Sequence, residues 1–402
     1  MTSMPRPARA ETVVDLGAIR HNVRRLRELV STDGTGPQLM VVVKADGYGH
    51  GMVQSAAAAR AAGAEWIGVA TLDEALALRQ AGDRGRVLCW LAVPGEDFGP
   101  AVAADVDVSA YSVEQLGEIV EAARRVGSTA RVQLKVDTGL SRGGAPRDQW
   151  QPLLDAAREA EKAGVVDVSG IWSHLACSDE PDHPANAAQE QAFREALELA
   201  EATGLRPEVR HLANSAGALL RPSARFDLVR FGIASYGLTP APDVVSSAAL
   251  GLVPAMTVAA TTVMAKDLEA GAGVSYGHTF VADRPMRVAL VPLGYGDGIP
   301  RAASSVAEVQ VRGRRAPVLG RICMDQFVVA APDAAAGDRV LVVGRGADGE
   351  PTAQEWADWC GTISYEIVTR MGGRQRRRWV DPWVDPEVDP EADPKVDEER
   401  EA

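Results

Sequence analysis

A lysine at the end of an apolar run is the first residue of this sequence whose position suggests chemistry. Three valines, 41–43, directly precede Lys44. If the valines form a buried strand, the lysine at its end is partly removed from water, which lowers the pKa of its amine. Such a lysine suits Schiff-base chemistry. The alternative is that Lys44 only extends its charged end from the strand into solvent.

The cysteines and histidines do not indicate a metal centre. The four cysteines contain no Cys-x-x-Cys pair, as is typical of unpaired thiols in a reducing cytoplasm. The closest histidines, His174 and His183, are nine residues apart with Cys177 between them. A zinc site there is an alternative, but our prediction is that no metal is bound.

The elements that would position Lys44 alternate between strands and helices. Eight short apolar runs lie at 39–43, 65–70, 86–93, 106–110, 130–136, 166–174, 208–213 and 227–232. Amphipathic, Ala-rich segments separate them, at 51–62, 72–81, 113–126, 149–163 and 186–203, and two of these begin with the capping-box pairs Thr71/Glu74 and Ser112/Gln115. Eight such units favour a closed (β/α)8 barrel, in which the carboxyl ends of the strands open onto the active site.

A second domain with a different pattern follows. Val- and Thr-rich runs separated by glycine-containing turns replace the helical periodicity, at 256–264, 286–292, 306–311, 326–330 and 339–343. We therefore predict an α/β chain with a TIM-like barrel over 11–240 and a mostly β C-terminal domain over 241–375. Residues 376–402 contain a four-residue acidic repeat with regular prolines, which predicts a disordered tail.

The charge and hydropathy exclude several classes of partner. The net charge is −13, and the segment 380–402 holds 10 acidic and 2 basic residues, so nucleic acid is not an expected partner. The one basic cluster, Arg374 with 376–378, is interpreted as a solvated terminal segment. The sequence has no signal-peptide pattern, and its longest weakly polar run, 251–265, is too short to span a bilayer. We expect a soluble, cytoplasmic protein.

Nine blocks of the sequence carry a resemblance to a known family. They begin with the lysine block KADGYGHG at 44–51 and continue at 135–142, 172–174, 211–216, 229–237, 274–277, 294–298, 321–326 and 364–366. In this order and spacing, over about residues 10 to 375, the chain resembles the bacterial alanine racemase family. The resemblance implies a barrel followed by a β domain, pyridoxal 5'-phosphate as cofactor, and interconversion of L- and D-alanine for peptidoglycan supply.

The resemblance implies a pair of catalytic bases. Lys44 would be the Schiff-base lysine and one base, and Tyr276 would be the second base on the other face of the cofactor, because racemisation removes a proton from one face and returns one to the other. A phenol, with an ordinary pKa of about 10, is a weak base at neutral pH. By the resemblance, His174 and Arg230 would stabilise the phenolate through a chain of hydrogen bonds.

Arg230 would contact the pyridine nitrogen of the cofactor. An arginine keeps its proton, whereas a carboxylate partner would hold the ring nitrogen protonated and make the cofactor a stronger electron sink. Side reactions such as transamination should therefore be suppressed. The alternative is that Arg230 forms a structural ion pair with Asp227.

The remaining expected contacts follow from the resemblance. The phosphate would be bound by Tyr48, Ser215, Gly232, Ile233 and Tyr365. Arg142 would contact the cofactor's phenolic oxygen and the substrate carboxylate, and a carbamylated Lys135 would orient it, unless Lys135 is simply paired with Asp137. Met324 and Asp325 would bind substrate, and Tyr295 and Arg301 would form an entry gate. The β domain of one subunit would complete the site of the other in a homodimer.

Three other functions remain open at this point. The first is a racemase for another or a broader set of amino acids, such as serine, since one methylene changes selectivity by only about 1–3 kcal/mol. A related barrel decarboxylase would carry a glutamate in place of Arg230. A cofactor-carrier protein of the single-barrel kind would lack the β domain and Tyr276.

Overall fold

The computed structural model describes residues 8–381 and divides the chain into two compact units. One unit, called the barrel unit here, is Asn22–Leu252. The other, the β unit, combines residues 8–21 with the chain from Val253 onward. Strand β1 (Ala10–Asp15) belongs to the β unit, and helix α1 (Leu16–Val30) leads from it into the barrel unit.

Eight parallel strands form a nearly closed barrel. They are β2 (Gln38–Val42), β3 (Trp66–Val69), β4 (Arg86–Cys89), β5 (Asp107–Ala110), β6 (Ala130–Lys135), β7 (Val166–Trp172), β8 (Val209–His211) and β9 (Leu228–Phe231). The order is β8-β7-β6-β5-β4-β3-β2-β9. Two backbone hydrogen bonds, Asp227 N to Arg210 O and Arg230 N to Ala213 O, both 3.1 Å long, link β9 to β8. Each of the eight predicted strands is present, so the barrel prediction is confirmed.

Helices follow the strands in the barrel unit. They are α2 (Lys44–Tyr48), α3 (Met52–Ala61), α4 (Leu72–Gln80), α5 (Gly99–Ala103), α6 (Val113–Val126), α7 (Trp150–Lys162), α8 (Pro184–Thr203) and α9 (Ser215–Leu220). Thr71 and Glu74 form the expected capping box of α4. At α6 only half of the box forms, because Ser112 accepts from the backbone of Gln115, whose own side chain accepts from the backbone N–H of Tyr111.

The barrel strands are buried on both faces. Every residue of β3, β5 and β9 is buried, as expected where side chains fill the interior and helices cover the outside. Each fully buried aliphatic side chain contributes about 1.5–3 kcal/mol to folding. This packing makes a rigid frame for the residues at the strand ends.

The β unit is built around one nine-stranded sheet. Its further strands are β10 (Met256–Thr261), β11 (Met264–Leu268), β12 (Gly273–Val274), β13 (Phe280–Val281), β14 (Met286–Val291), β15 (Glu308–Val311), β16 (Arg314–Leu319), β17 (Phe327–Ala330), β18 (Arg339–Val343) and β19 (Arg376–Val380). The sheet order is β11-β14-β17-β16-β15-β18-β10-β1-β19, and β12 and β13 form a separate hairpin. Two helices, α10 (Ala353–Cys360) and α11 (Ser364–Arg370), were not expected from the sequence pattern.

The expected domain boundaries differ from the observed units at both ends of the chain. Residues 11–15 were assigned to the barrel, but β1 pairs antiparallel with β10 and parallel with β19, with Val13 opposite Thr257 and Arg378. Residues 376–380 were expected to be disordered, but they form β19. Residues 241–252 belong to the barrel unit. These pairings join segments far apart in sequence, so no local pattern reveals them. The rest of the acidic tail lies outside the described residues.

None of the described helices is long and apolar enough to cross a membrane.

Candidate active site

Lys44 lies at the carboxyl end of β2, where the chain makes an unusual left-handed turn. Five consecutive residues after it, most of them in the segment labelled α2, have positive φ between +53° and +81°: Ala45, Asp46, Gly47, Tyr48 and Gly49. The turn is held from outside, since the Glu74 carboxylate accepts from the N–H of Ala45 at 2.7 Å. A backbone conformation that side chains rarely adopt is found where the surrounding structure enforces it, often at functional sites.

The surroundings of Lys44 favour its neutral amine. Burial lowers the pKa of Lys44, the positive charge of Arg142 lowers it further, and Glu74 partly opposes this. The amine nitrogen lies 5.9 Å from the ring centre of Trp90. A neutral lysine amine is the nucleophilic form and the form that can accept a proton.

Arg230, in β9, is buried and surrounded by acceptors that carry no negative charge. Its Nη1 donates to Nδ1 of His211 at 2.9 Å, and its Nη2 donates to Nδ1 of His174 at 3.1 Å. Nη2 also donates to the backbone oxygens of Ser173 and Leu212, at 2.9 and 3.1 Å. Burial lowers the pKa of Arg230 to about 9, so the guanidinium is still charged at neutral pH.

The alternative that Arg230 pairs with Asp227 is wrong. The Asp227 carboxylate instead binds Arg210 through both oxygens, at 2.6 and 2.8 Å. Adjacent residues of a strand point to opposite faces, and Asp227 precedes β9 at its amino end, away from the carboxyl ends where Lys44 lies.

The two histidines beside Arg230 have defined protonation. Because a guanidinium only donates, Nδ1 of both His174 and His211 accepts, and the ring proton of each neutral imidazole is on Nε2. Burial and the charge of Arg230 lower the pKa of both rings well below the usual value. The Nε2–H of His211 donates to Oε1 of Gln133 at 2.7 Å. Sequence reasoning missed His211 and Gln133, which lie in separate strands.

Tyr48, Ser215 and Gly232 come together at one side of the barrel mouth. Ser215 Oγ accepts from the N–H of Gly232 at 3.0 Å. A Cβ on Gly232 would overlap the hydroxyl of Tyr48 and lie 3.0 Å from its Cζ. Glycine at 232 therefore lets the phenol approach the backbone closely. Ile233, which follows Gly232, is fully buried.

Lys135 and Arg142 add two more positive charges to the barrel. Lys135 is 6% exposed, and its nitrogen lies 4.4 Å from the ring centre of Trp172. Burial, Arg230 and Arg142 lower the pKa of Lys135 to about 8. The alternative pairing with Asp137 is not observed, because that carboxylate accepts from the N–H groups of Gly139 and Ser141 at 2.9 and 3.1 Å.

The β unit brings most of its expected site residues together. Ser275, which precedes Tyr276, donates to the backbone oxygen of Arg321, and the backbone N–H of Tyr295 donates to the oxygen of Cys323 at 3.1 Å. Tyr276 is 71% exposed, and Met324 in the neighbouring loop is 54% exposed.

The loop that carries Asp325 is tied to the C-terminal segment. Arg374 binds Asp325 at 2.7 Å and also binds the fully buried Asp297 at 3.1 Å. Arg374 is exposed, as expected for a solvated cluster, but its ion pairs with Asp325 and Asp297 were not expected. A carboxylate buried with a lowered pKa, such as Asp297, requires cationic partners.

Two other expected residues lie elsewhere in the β unit. Arg301 is exposed at the start of a short 3-10 helix, and Tyr365 is half-buried in α11.

The histidines considered for zinc have other roles. His183 caps α8 by accepting from the N–H of Ala185 at 3.1 Å, and Nδ1 of His174 accepts from Arg230. Within residues 8–381 no group of three potential ligands is arranged to hold a metal ion.

The comparisons with known proteins agree with this arrangement. Residues 14–240 match the family model "Alanine racemase, N-terminal domain", and residues 255–379 match "Alanine racemase, C-terminal domain". The chain belongs to the alanine racemase family. An alanine racemase from Salinispora tropica is 52% identical over 374 residues, which covers 92% of this chain and 98% of the relative.

Solved structures of alanine racemases also share the fold. The enzyme from D-cycloserine-producing Streptomyces lavendulae has a TM-score of 0.91 at 49% identity, covering 94% of this chain and 98% of that one. The alanine racemase from Bartonella henselae, solved with covalently bound pyridoxal phosphate, has a TM-score of 0.82 at 29% identity and covers 93% of this chain and 100% of its own.

Proposed function

We propose that this protein is a pyridoxal 5'-phosphate-dependent alanine racemase, which interconverts L- and D-alanine in the cytoplasm and supplies D-alanine for peptidoglycan. The observation that carries the proposal is the environment of Arg230. Its guanidinium is buried between two neutral histidines, in a barrel whose mouth also holds Lys44. A decarboxylase of related fold would need a carboxylate where this arginine lies.

The residues present fit the cofactor. Within residues 8–381, none of the four basic side chains Lys44, Lys135, Arg142 and Arg230 forms an ion pair, so the barrel mouth concentrates basic groups without a directly paired carboxylate. An anionic ligand would stabilise such a cluster. The close approach of Tyr48 to Gly232 forms a cradle that a Cβ would fill.

Specific groups would hold the cofactor. The phosphate would be bound by Tyr48, Ser215 and the backbone of Gly232 and Ile233, with Tyr365 as a further ligand. Lys44 would bind the aldehyde carbon, and Arg230 would face the ring nitrogen. When bound, the cofactor supplies the electron-withdrawing system that makes the α-proton of an amino acid removable.

Two bases on opposite faces would then invert the substrate. Lys44, whose neutral form is favoured by burial, would take the α-proton from one face, and Tyr276 would give a proton to the other. In the opposite direction the roles are exchanged. His174 would donate its Nε2–H to the phenolate oxygen of Tyr276, since Arg230 already occupies Nδ1. Met324 and Asp325 would contact the substrate, with Tyr295 and Arg301 at the entry.

A carbamate on Lys135 would introduce a negative charge among the basic side chains of the barrel. The pKa of about 8 leaves a fraction of this amine neutral near physiological pH, and a neutral amine is the form that adds carbon dioxide. The resulting anion would orient Arg142, which is exposed and has no ion-pair partner among the described residues. Arg142 would bind the substrate carboxylate and the cofactor's phenolic oxygen.

We further propose that the enzyme is a homodimer with shared sites. The 71% exposure of Tyr276 and the 54% exposure of Met324 leave both side chains accessible on the β unit. Covering a catalytic base expels water from the site, which strengthens the interactions inside it and prevents side reactions. The β unit of one subunit would therefore cover the barrel of the other.

Deuterium exchange tests the proposed activity most directly. Purified holoenzyme is incubated with L-alanine in D2O, and both loss of the α-proton and formation of D-alanine are followed. Exchange with matching formation of D-alanine supports the racemase. If the cofactor is bound but alanine is not exchanged while serine or another amino acid is inverted, the substrate assignment is wrong. Lys44→Ala serves as the inactive control, and Lys162→Ala, a surface lysine paired with Glu159, as the active one.

A further inference from the structure

Ser275, the residue before the candidate base Tyr276, has a backbone conformation that glycine alone adopts readily. Its φ is +61° and its ψ is −170°. For a residue with a Cβ this region is costly, and such residues persist only where other contacts enforce them. Glycine is absent here, although Gly277 follows two positions later with φ +71°.

The contacts that enforce the conformation come from the loop after β16. The Ser275 hydroxyl donates to the backbone oxygen of Arg321 at 2.6 Å and lies 3.2 Å from Sγ of Cys323. Cys323 is itself fixed, since its oxygen accepts from Tyr295 and its N–H donates to the oxygen of Gln326 at 3.0 Å. The side chain of Ser275 thus ties the Tyr276 turn to an anchored segment.

The other side of Ser275 is fixed by packing. Val274 is 5% exposed and packs in an apolar cluster with Val288 and Leu319. Gly320 approaches so closely that a Cβ there would lie 2.6 Å from the backbone oxygen of Val274. The backbone before Tyr276 is therefore held at Val274 by burial and at Ser275 by its hydroxyl.

We propose that Ser275 is a positioning residue for Tyr276: its hydroxyl holds the strained backbone that aims the phenol. The inference rests on the proposed function, in which Tyr276 acts as a base. Tyr276 is largely exposed and makes no side-chain hydrogen bond among the described residues, so its direction depends on its own backbone. A displacement of about 1 Å at a reacting group can reduce a rate by about 100-fold.

Two substitutions at Ser275 separate the effect of losing the hydroxyl from the effect of backbone strain. Ser275→Ala removes the hydroxyl but keeps the Cβ, so the backbone should relax and move Tyr276. Ser275→Gly also removes the hydroxyl, but glycine adopts the required φ and ψ without strain. The control is Ser305→Ala, since Ser305 also has positive φ, +58°, and its hydroxyl lies 3.4 Å from the backbone oxygen of Gly320.

The assay measures inversion and α-proton exchange of each alanine enantiomer in D2O with the holoenzyme. Lys44 can exchange the proton on its own face without inversion, by removing it and returning a solvent deuteron to the same face. We expect Ser275→Ala to lose about 100-fold in inversion while this exchange persists. Ser275→Gly should stay within about tenfold of the wild type, and Ser305→Ala within about twofold.

Thermal unfolding provides a readout that is independent of activity. At an ordinary position alanine gives a more stable protein than glycine, because glycine loses more backbone entropy on folding. At Ser275 the order should be reversed, with Ser275→Gly unfolding at a higher temperature than Ser275→Ala.

Several outcomes would overturn the inference. Inversion of alanine by Ser275→Ala at a rate within twofold of the wild type would contradict it. A glycine variant that is less active or less stable than the alanine variant, or that fails to fold, would contradict it as well. An equal loss of exchange and inversion in Ser275→Ala would likewise indicate general damage and contradict it. If the wild-type enzyme itself does not invert alanine, the proposed function is wrong and this inference fails with it. If the wild type inverts alanine and the Ser275 variants give one of the outcomes above, only the inference is wrong.

Discussion

The guanidinium of Arg230 donates to Nδ1 of His174 across 3.1 Å, and this bond determines where the imidazole carries its proton. Since arginine has no acceptor, the ring proton of neutral His174 must be on Nε2. Burial and the nearby cations lower the pKa of His174 well below its usual value, so the ring stays neutral as the pH falls through the range where histidine ordinarily gains a proton. His174 can therefore donate one hydrogen bond to a phenolate.

Replacing Tyr276 by phenylalanine should abolish inversion but leave the cofactor attached. The substitution removes the proton carrier of one face, and general acid–base groups contribute about 100- to 10,000-fold in rate. Attachment to Lys44 is measured by mass spectrometry after borohydride reduction, and inversion by chiral chromatography. Thr279→Ala, an exposed neighbour on the same turn, is the control. Substantial activity of Tyr276→Phe in both directions would show that the two-base scheme is wrong.

Replacing Arg230 by lysine should lower the inversion rate by about 100-fold. Lysine keeps the charge but cannot reach both histidines, and each hydrogen bond lost from a charged group costs about 1.5–3 kcal/mol, with 1.4 kcal/mol equal to a factor of ten. Inversion and keto-acid formation are measured together. The control is Asp227→Asn, which breaks only the pair with Arg210. If both variants lose activity equally, Arg230 has no special role.

A carbamate on Lys135 should become more abundant as the pH rises from 7 to 9. The pKa of about 8 means that the amine is mostly protonated below this range and mostly neutral above it, and only the neutral amine reacts with carbon dioxide. Carbon-13 NMR with labelled bicarbonate should detect the carbamate, and Lys135→Arg should remove the signal. A bare ammonium at every pH would exclude the modification.

Adding a methyl group at Gly232 should weaken cofactor binding by about tenfold or more. The new Cβ would overlap Tyr48, and overpacking costs about 1–3 kcal/mol. The affinity is measured by titrating the apoprotein with pyridoxal 5'-phosphate. Gly117→Ala in α6 is the matched control, because a Cβ there meets no atom within 4 Å and alanine favours the helix. If the two variants bind pyridoxal 5'-phosphate with equal affinity, the close approach of Tyr48 to Gly232 does not form part of the cofactor site.

The barrel could be predicted because its signals are local. Each strand is a short apolar run, and each helix has its own periodicity and often its own cap, as at Thr71. Lys44 was found in the same way, because a charged residue directly after three valines must lie at the end of a buried strand.

Contacts between distant segments could not be predicted in this way. Strands β1 and β19 pair although they lie at opposite ends of the described chain, and the exposed arginines of β19 resemble those of a solvated tail. An ion pair between Asp227 and Arg230 was the alternative considered because the two are close in sequence, but the barrel directs them to different partners.

Residue types and their order along the chain were enough to identify the strands, the lysine and the family resemblance, because burial and periodicity act over a few residues at a time. The hydrogen bonds from Arg230 to His174 and His211, the cradle between Tyr48 and Gly232, and the tie between Ser275 and Arg321 exist only in the folded chain. Each depends on bringing atoms of two distant segments within about 3 Å of each other, and that distance is set by the packing of whole strands and loops.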